Sequence, residues 1–275
     1  MADPRDVTPA EAERLVAEGR VQVLDVRTAE EYEALGHIPQ ATLLPVDLIA
    51  SAPATLAPDR PLLVYCEHGI RSRQAAGFLA RAGFEDVLNL TGGLSCWTGP
   101  RDHGPGWISG PSSWLLENAD LLPRGGRALD LACGAGRHAL LLAAAGFPVR
   151  AVDRDSARIA VLGTTAARLG LPLEADVMDL EVGDVDLGSG AYALVLGFHY
   201  LHRPLFPAIV RALAAGGLLV YETFTTAQAA RGKPTNPAFL LESGELPRLV
   251  APLTVLRQRE GEFEGRMVAG VVARR

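Results

Sequence analysis

Short apolar runs alternate with longer amphipathic stretches along most of this chain, and glycine closes many of the latter. In the first hundred residues Val21–Val26 and Leu62–Tyr65 read as buried strands. Thr8-Pro9-Ala10-Glu11 predicts a helix start, with Thr8 as N-cap and glutamate three residues after it, and the helix should stop at Gly19. A short acidic helix is expected over Ala29–Leu35 and a longer one over Ser72–Ala82, closed by Gly83. Further on, strands are expected at Arg127–Leu131, Val149–Asp153, Leu173–Val177, Tyr192–Phe198 and Leu218–Phe224. Helices fall between them at Arg137–Ala145, Ser156–Leu169 and Leu205–Ala214, closed by Gly146, Gly170 and Gly216. Thr254–Glu260 and Arg266–Ala273 read as a closing antiparallel hairpin. Alternation of this kind predicts an α/β class with parallel sheets covered by helices.

Residues 98–113 break the pattern. Gly99, Pro100, Gly104, Pro105, Gly106, Gly110 and Pro111 exclude regular structure and mark a linker between domains at 1–97 and 114–275. Trp107 and Ile108 are unusual in an exposed linker, so the segment is expected to pack on one domain and fix the relative orientation of the two. At 275 residues and 48% hydrophobic, each half can bury a core. No apolar run approaches the ~18 residues of a membrane helix, and the polar start Met1–Asp6 lacks a signal-peptide core. Three cysteines (Cys66, Cys96, Cys133) cannot all pair, which points to a reducing, cytoplasmic setting. Residues 1–100 hold 8 Lys+Arg against 14 Asp+Glu, and the rest of the chain holds 18 of each. Neither half has the basic surplus that a phosphate backbone calls for, so no nucleic-acid partner is expected. Nor does any Cys/His cluster have metal-ligand spacing, so no metal is expected.

The strand Leu62–Tyr65 delivers Cys66-Glu67-His68-Gly69-Ile70-Arg71-Ser72. A thiol at the end of a parallel strand, facing a helix N-terminus, sits among convergent N–H groups that stabilise its thiolate. Gly69 permits the turn and Arg71 adds a fixed positive charge. With Asp25-Val26-Arg27, Glu31, Gly36-His37-Ile38-Pro39-Gln40-Ala41 and Gly92-Gly93-Leu94…Trp97, the first ~97 residues resemble a rhodanese-like domain. That resemblance implies a parallel-sheet α/β domain that moves sulfane sulfur. Cys66 would be nucleophile and persulfide carrier, Arg71 and the loop N–H groups would hold the anionic sulfur, and Asp25 and Arg27 would brace the loop. Four residues separate Cys66 from Arg71, one fewer than in the related phosphatases, and this smaller cradle suits a single sulfur. Glu67 opposes a dianionic donor; His68 is either a proton relay or an exposed loop side chain, and Cys96 either a resolving thiol or a bystander.

A second strand–loop–helix unit is Leu129-Asp130-Leu131-Ala132-Cys133-Gly134-Ala135-Gly136-Arg137, with Asp153 23 residues after Asp130. This is the form of a βα unit that binds a nucleotide-like cofactor. A dinucleotide oxidoreductase shares it. Against that reading, Ala139 stands at the third glycine, Asp130 precedes the glycines, and the strand series ends in a hairpin. Residues 114–275 resemble the class I S-adenosylmethionine-dependent methyltransferases, in particular the small tellurite-resistance-like subgroup, with a Rossmann-like sheet. The resemblance implies S-adenosylmethionine as cofactor, held by the loop Asp130, Cys133, Gly134 and Gly136, with Cys133 a packing side chain. Asp153 would take the ribose hydroxyls, and Asp176-Val177 matches the adenine-contacting position.

The methyl acceptor is expected beyond the fourth and fifth strands. His199, Tyr200, His202 and Glu222 are the polar groups there able to orient it or take its proton. Thr225–Pro237 reads as an irregular lid or wall. The joint reading is a methyltransferase acting on a small, soft sulfur or chalcogen nucleophile, with a sulfane-sulfur donor serving Cys66. In the alternative, the first domain senses or docks while an unrelated metabolite or protein is methylated. The sequence sets no oligomeric state.

Overall fold

The computed structural model describes residues 3–104 and 109–275. Trp107 and Ile108, on which the packing of the linker was expected to depend, lie outside the described residues. The chain forms two compact units, and the main division falls between Pro111 and Ser112.

The first unit holds β1 (Arg5–Val7), α1 (Pro9–Ala17), β2 (Gln22–Asp25), α2 (Ala29–Leu35), β3 (Thr42–Leu43), β4 (Leu62–Tyr65), α3 (Ile70–Ala82) and β5 (Val87–Leu90). All its strands are parallel, in the order β1-β5-β4-β2-β3. Only β2 and β4 are evident from periodicity. β1 and β3 are three and two residues long, and β5 carries Asn89 in an otherwise apolar run. That buried amide is satisfied, because Asn89 accepts from the Ser72 hydroxyl at 2.7 Å and donates to Asp6 at 2.8 Å. Successive residues of β4 serve opposite faces: Leu62 and Val64 pack with Leu79 and Phe84, whereas Leu63 and Tyr65 pack with Ile38 and Leu88. Thr28 caps α2 in a capping box with Glu31.

Arg27 follows β2 with its side chain entirely buried. Its guanidinium donates to Asp25 (2.7 Å), to the Gly36 carbonyl (2.7 Å) and to Glu67 (3.1 Å), so one cation joins β2, the end of α2 and the turn after β4.

The second unit holds α4 (Ser113–Glu117), β6 (Ala128–Leu131), α5 (Arg137–Ala144), β7 (Val149–Asp153), α6 (Ser156–Leu169) as far as Gly163, and β8 (Leu173–Val177). It continues with β9 (Tyr192–Phe198), α7 (Phe206–Ala212), β10 (Leu213–Phe224), α8 (Leu246–Leu249), β11 (Thr254–Phe263) and β12 (Arg266–Arg274). The strand order is β11-β12-β10-β9-β6-β7-β8, parallel from β10 to β8, with β12 antiparallel to both its neighbours. The chain leaves β6 towards β7 and β8, then returns to place β9 on the other side. The reversal opens a crevice at the carboxyl end of β6. α7 is shorter than expected: it ends at Ala212, and the ladder of β10 begins at Leu213, which pairs with Tyr192. Gly216, expected as a helix stop, lies in the register shift between Leu213 and Leu218. α4 ends at Glu117, where Asn118 turns its side chain back to the Trp114 carbonyl at 2.7 Å.

Replacing Arg27 by methionine leaves the Asp25 carboxylate buried without its cation. The expected loss is about 3–5 kcal/mol of unfolding free energy, read as a lowered urea midpoint.

Candidate active sites

Cys66 stands directly after β4 with 1% of its surface exposed. Gly69 takes the left-handed conformation (φ 84°) that turns the chain into α3, and its N–H reaches the Cys66 sulfur at 3.2 Å. Burial pushes the thiol up. Hydrogen bonds from the Ser72 hydroxyl and from the N–H groups of Ser72, His68 and Gly69 more than offset this and leave its pKa below the ordinary value. Arg71 is engaged twice over. It forms a bidentate pair with Glu31 at 2.6 and 2.7 Å, which holds Glu31 down at about 2, and it is pushed up mainly by Glu31 and more weakly by the Cys66 sulfur. Glu67, which the sequence places awkwardly beside the thiol, is occupied by Arg27 and by the Ser95 hydroxyl at 2.9 Å. The turn 92–97 braces the loop through Leu94 N–H to the Cys66 carbonyl (2.8 Å) and Ser95 N–H to the Glu67 carbonyl (3.0 Å). Cys96 is exposed.

In the second unit, Gly136 (φ 82°) caps α5, and a Cβ there would stand 2.5 Å from Leu162 of α6. Both steric and conformational reasons therefore demand glycine. Asp130 is buried and accepts from Ala139 N–H, in the first turn of α5, at 3.1 Å. Burial pushes its pKa up to about 7 against that bond and the charge of Arg137. Asp153 accepts from Gly134 N–H at 2.7 Å and from Asp155 N–H at 2.9 Å. Asp153 thus fastens the glycine loop from the neighbouring strand, and Asp130 fastens the first turn of α5. Cys133 is buried between them; burial, then Asp130 and Asp153, pushes its thiol up.

Beside this loop lies a cavity of about 300 Å³ that Asp153, Met178, Asp179, His199, Tyr200, Phe224, Pro234 and Phe239 help to line. Asp176 and Val177 do not line it: Asp176 pairs with Arg150 at 2.7 Å, and Val177 is 58% exposed. The chain reaches the cavity after β8 has ended, through Met178 to Glu181. Pro234 and Phe239 supply the wall expected of the segment after β10.

His199 adopts φ 56°, donates its N–H to the Glu222 carbonyl at 2.9 Å and stacks on Phe224 at 4.8 Å. Its Nε2 lies 3.4 Å from Arg266 Nη1. A guanidinium only donates, so Nε2 accepts and the proton resides on Nδ1. Burial, Arg137 and Arg266 hold the imidazole at about 4. His199 is therefore a neutral donor at neutral pH, and of the two roles expected for it only the orienting one remains. Tyr200 has a buried hydroxyl without a protein partner, and burial pushes its pKa up. Glu222 is spent elsewhere, on Ser112 (3.1 Å) and Arg259 (2.7 Å), and neither it nor His202 lines the cavity. Among the described residues no three His, Cys, Asp or Glu side chains converge as a metal site, and no helix is long and apolar enough to cross a membrane.

Residues 8–99 match the family model of the rhodanese-like domain, and residues 113–246 match that of tellurite resistance protein TehB. Over 86 residues the chain is 40% identical to a sulfurtransferase of Allochromatium vinosum, covering 31% of this chain and 79% of that protein. Over 97 residues it is 37% identical to thiosulfate sulfurtransferase GlpE of Pseudomonas savastanoi pv. phaseolicola, covering 35% of this chain and 90% of the relative. The chain belongs to the rhodanese family and carries a TehB methyltransferase domain. The crystal structure of TehB from Haemophilus influenzae shares the fold of the second unit at a TM-score of 0.52 and 19% identity. It covers 60% of this chain, which spans 62% of that structure. Both domains are of enzyme families.

Ser95 of the rhodanese domain and Met178, Asp179, Phe239 and Arg266 of the TehB domain have no motif of their own. They become visible only when the fold brings them to the loops.

In a Cys96→Ser background, alkylation of Cys66 by iodoacetamide should titrate below the range of an ordinary thiol. Ser72→Ala should move that midpoint up by about one pH unit, the worth of one hydrogen bond to an anion. Asp130 yields a second expectation. Its folded pKa is raised, so its contribution to stability is full below the unfolded carboxyl range and is lost as pH rises to about 7. Asp130→Asn should remove that fall from the pH profile of urea unfolding.

Proposed function

We propose that the TehB domain binds S-adenosylmethionine and methylates a small, soft, anionic nucleophile, while the rhodanese domain carries sulfane sulfur as a Cys66 persulfide. Three free cysteines suit the reducing, cytoplasmic setting in which such chemistry runs. The fit of the cofactor rests on the glycine loop, whose backbone stays open at Gly134, and on Asp153 at the end of β7 beside the cavity. Asp153 would hold the ribose with the lone pairs left by its two backbone bonds, and the strap from Met178 would lie along the base. When bound, the cofactor supplies an electrophilic methyl sulfonium. Asp130 acts as a positioning residue, because its carboxyl group is turned down onto α5.

The observation that carries the choice of acceptor is the state of His199. With its pKa at about 4 and Nε2 turned to Arg266, it offers a donor and no base. Tyr200 likewise keeps its proton. His199 and Tyr200, as neutral donors, can orient an acceptor that arrives already deprotonated or that needs no deprotonation, as sulfide, thiolate and other chalcogen anions do. An alcohol or amine would need a base that His199 and Tyr200 do not supply.

Turnover should be found with sulfide, thiols, selenite or tellurite and S-adenosylmethionine, measured as methylated product; none with any of them ends the proposal. Asp153→Ala should weaken cofactor binding by about 100-fold, the cost of a lost pair of hydrogen bonds, in calorimetry, while thiosulfate-dependent sulfur loading of Cys66 persists. Cys66→Ser should lower methylation that depends on added sulfane sulfur. Methylation unchanged in that variant would make the rhodanese domain a docking or sensing module.

A further inference from the structure

His68 is linked to a chain of groups that decides where its proton lies. Ser95 Oγ is 2.9 Å from Glu67 Oε1 and 3.0 Å from His68 Nδ1. Glu67, paired through Oε2 with the buried Arg27, only accepts, so the single Ser95 proton goes to Glu67. The Ser95 oxygen then accepts from Nδ1–H of His68. In the neutral ring this leaves the lone pair on Nε2, and an orienting chain of hydroxyl and carboxylate stands behind it. His68 also lines a cavity of about 350 Å³ with Gly69, Ile70, Arg73, Asn89 and Gly92. Gly69 is common to the cavity and the nucleophile, because its N–H is the one bonded to the Cys66 sulfur. The charged groups around His68 are Glu67 through Ser95, Arg27 behind Glu67, and Arg73 of α3, which is paired with Asp6; Cys66 does not line the cavity and meets it through Gly69.

We propose that His68 is the general base that deprotonates a small thiol acceptor in this cavity, for transfer of sulfur from the Cys66 persulfide, with Ser95 and Glu67 as positioning residues. The inference rests on Cys66 carrying the persulfide. The thiol gives its proton to Nε2, and the resulting thiolate attacks the outer sulfur. A new S–S bond forms to the acceptor as the bond between the outer sulfur and Sγ breaks. The electron pair of the broken bond stays on Sγ, restoring a Cys66 thiolate that the N–H groups of Gly69 and Ser72 already stabilise. The acceptor leaves as a persulfide, and the imidazolium returns its proton to solvent, so no external oxidant or reductant enters.

The full chain is first loaded from thiosulfate, and mass spectrometry should show one added sulfur on Cys66. If none appears, the persulfide reading itself fails, separately from the role of His68. The loaded protein is then discharged in mildly alkaline buffer to 2-mercaptoethanol, which still holds its proton, or to sulfite, which has none to lose. In His68→Gln the ratio of thiol to sulfite transfer should fall by about 10- to 100-fold, the usual worth of a positioned base. Strongly alkaline buffer, which ionises the thiol directly, should restore it. Ser95→Ala should lower the same ratio by a smaller factor, and Ser95→Thr, which keeps the hydroxyl, should recover it. An unchanged ratio in His68→Gln, or an equal loss with both acceptors, overturns the proposal.

Discussion

Parallel strands cannot be joined by a tight turn. Each must be followed by a crossover, and in both units of this chain the crossover helices begin at the carboxyl edge of the sheet. That edge gathers unpaired N–H groups and the positive ends of helices. The first unit places a thiol there, after β4, and the second a glycine loop, after β6. In each case a glycine in the left-handed conformation, Gly69 or Gly136, turns the strand into its helix. Two different chemistries are thus arranged by one topological constraint.

The same constraint explains why so much was legible in the sequence. A buried strand, a glycine and a helix in that order are local features, so β4 to α3 and β6 to α5 stand out, and Asp130 and Asp153 can be placed at strand ends. What escaped notice was non-local. β5 was hidden by Asn89, whose polar side chain interrupts an apolar run, and only the folded chain shows Asp6 and Ser72 waiting for it. Gly216 looked like a helix stop because the pairing of Leu213 with Tyr192, which ends α7, cannot be seen along the chain. His199 was recognisable as a strand-end histidine, but its neutrality comes from its burial and from Arg137 and Arg266, the last on a strand 67 residues away.

Charge is handled differently in the two units. In the rhodanese domain a buried guanidinium, Arg27, unites Asp25, Gly36 and Glu67, so the carboxylate beside Cys66 is compensated. Burial raises the thiol's pKa, and the Ser72 hydroxyl with directed N–H groups more than offsets it. In the TehB domain burial prevails. Asp130, His199 and Tyr200 are all moved towards their neutral forms, and the loop relies on backbone geometry and shape.

The bidentate pair of Arg71 with Glu31 bears on the ionic surroundings of Cys66. Arg71, six residues into the loop and helix start, brings no net charge of its own because Glu31 cancels it. The Cys66 sulfur is held by the Ser72 hydroxyl and by short-range dipoles fixed by the backbone, with Arg71 interacting more weakly. Such dipoles act within one hydrogen-bond length, well inside the Debye length of about 8 Å at physiological ionic strength. Dissolved salt has little purchase on contacts of that kind, so the setting of the Cys66 thiol depends on short contacts and little on long-range attraction.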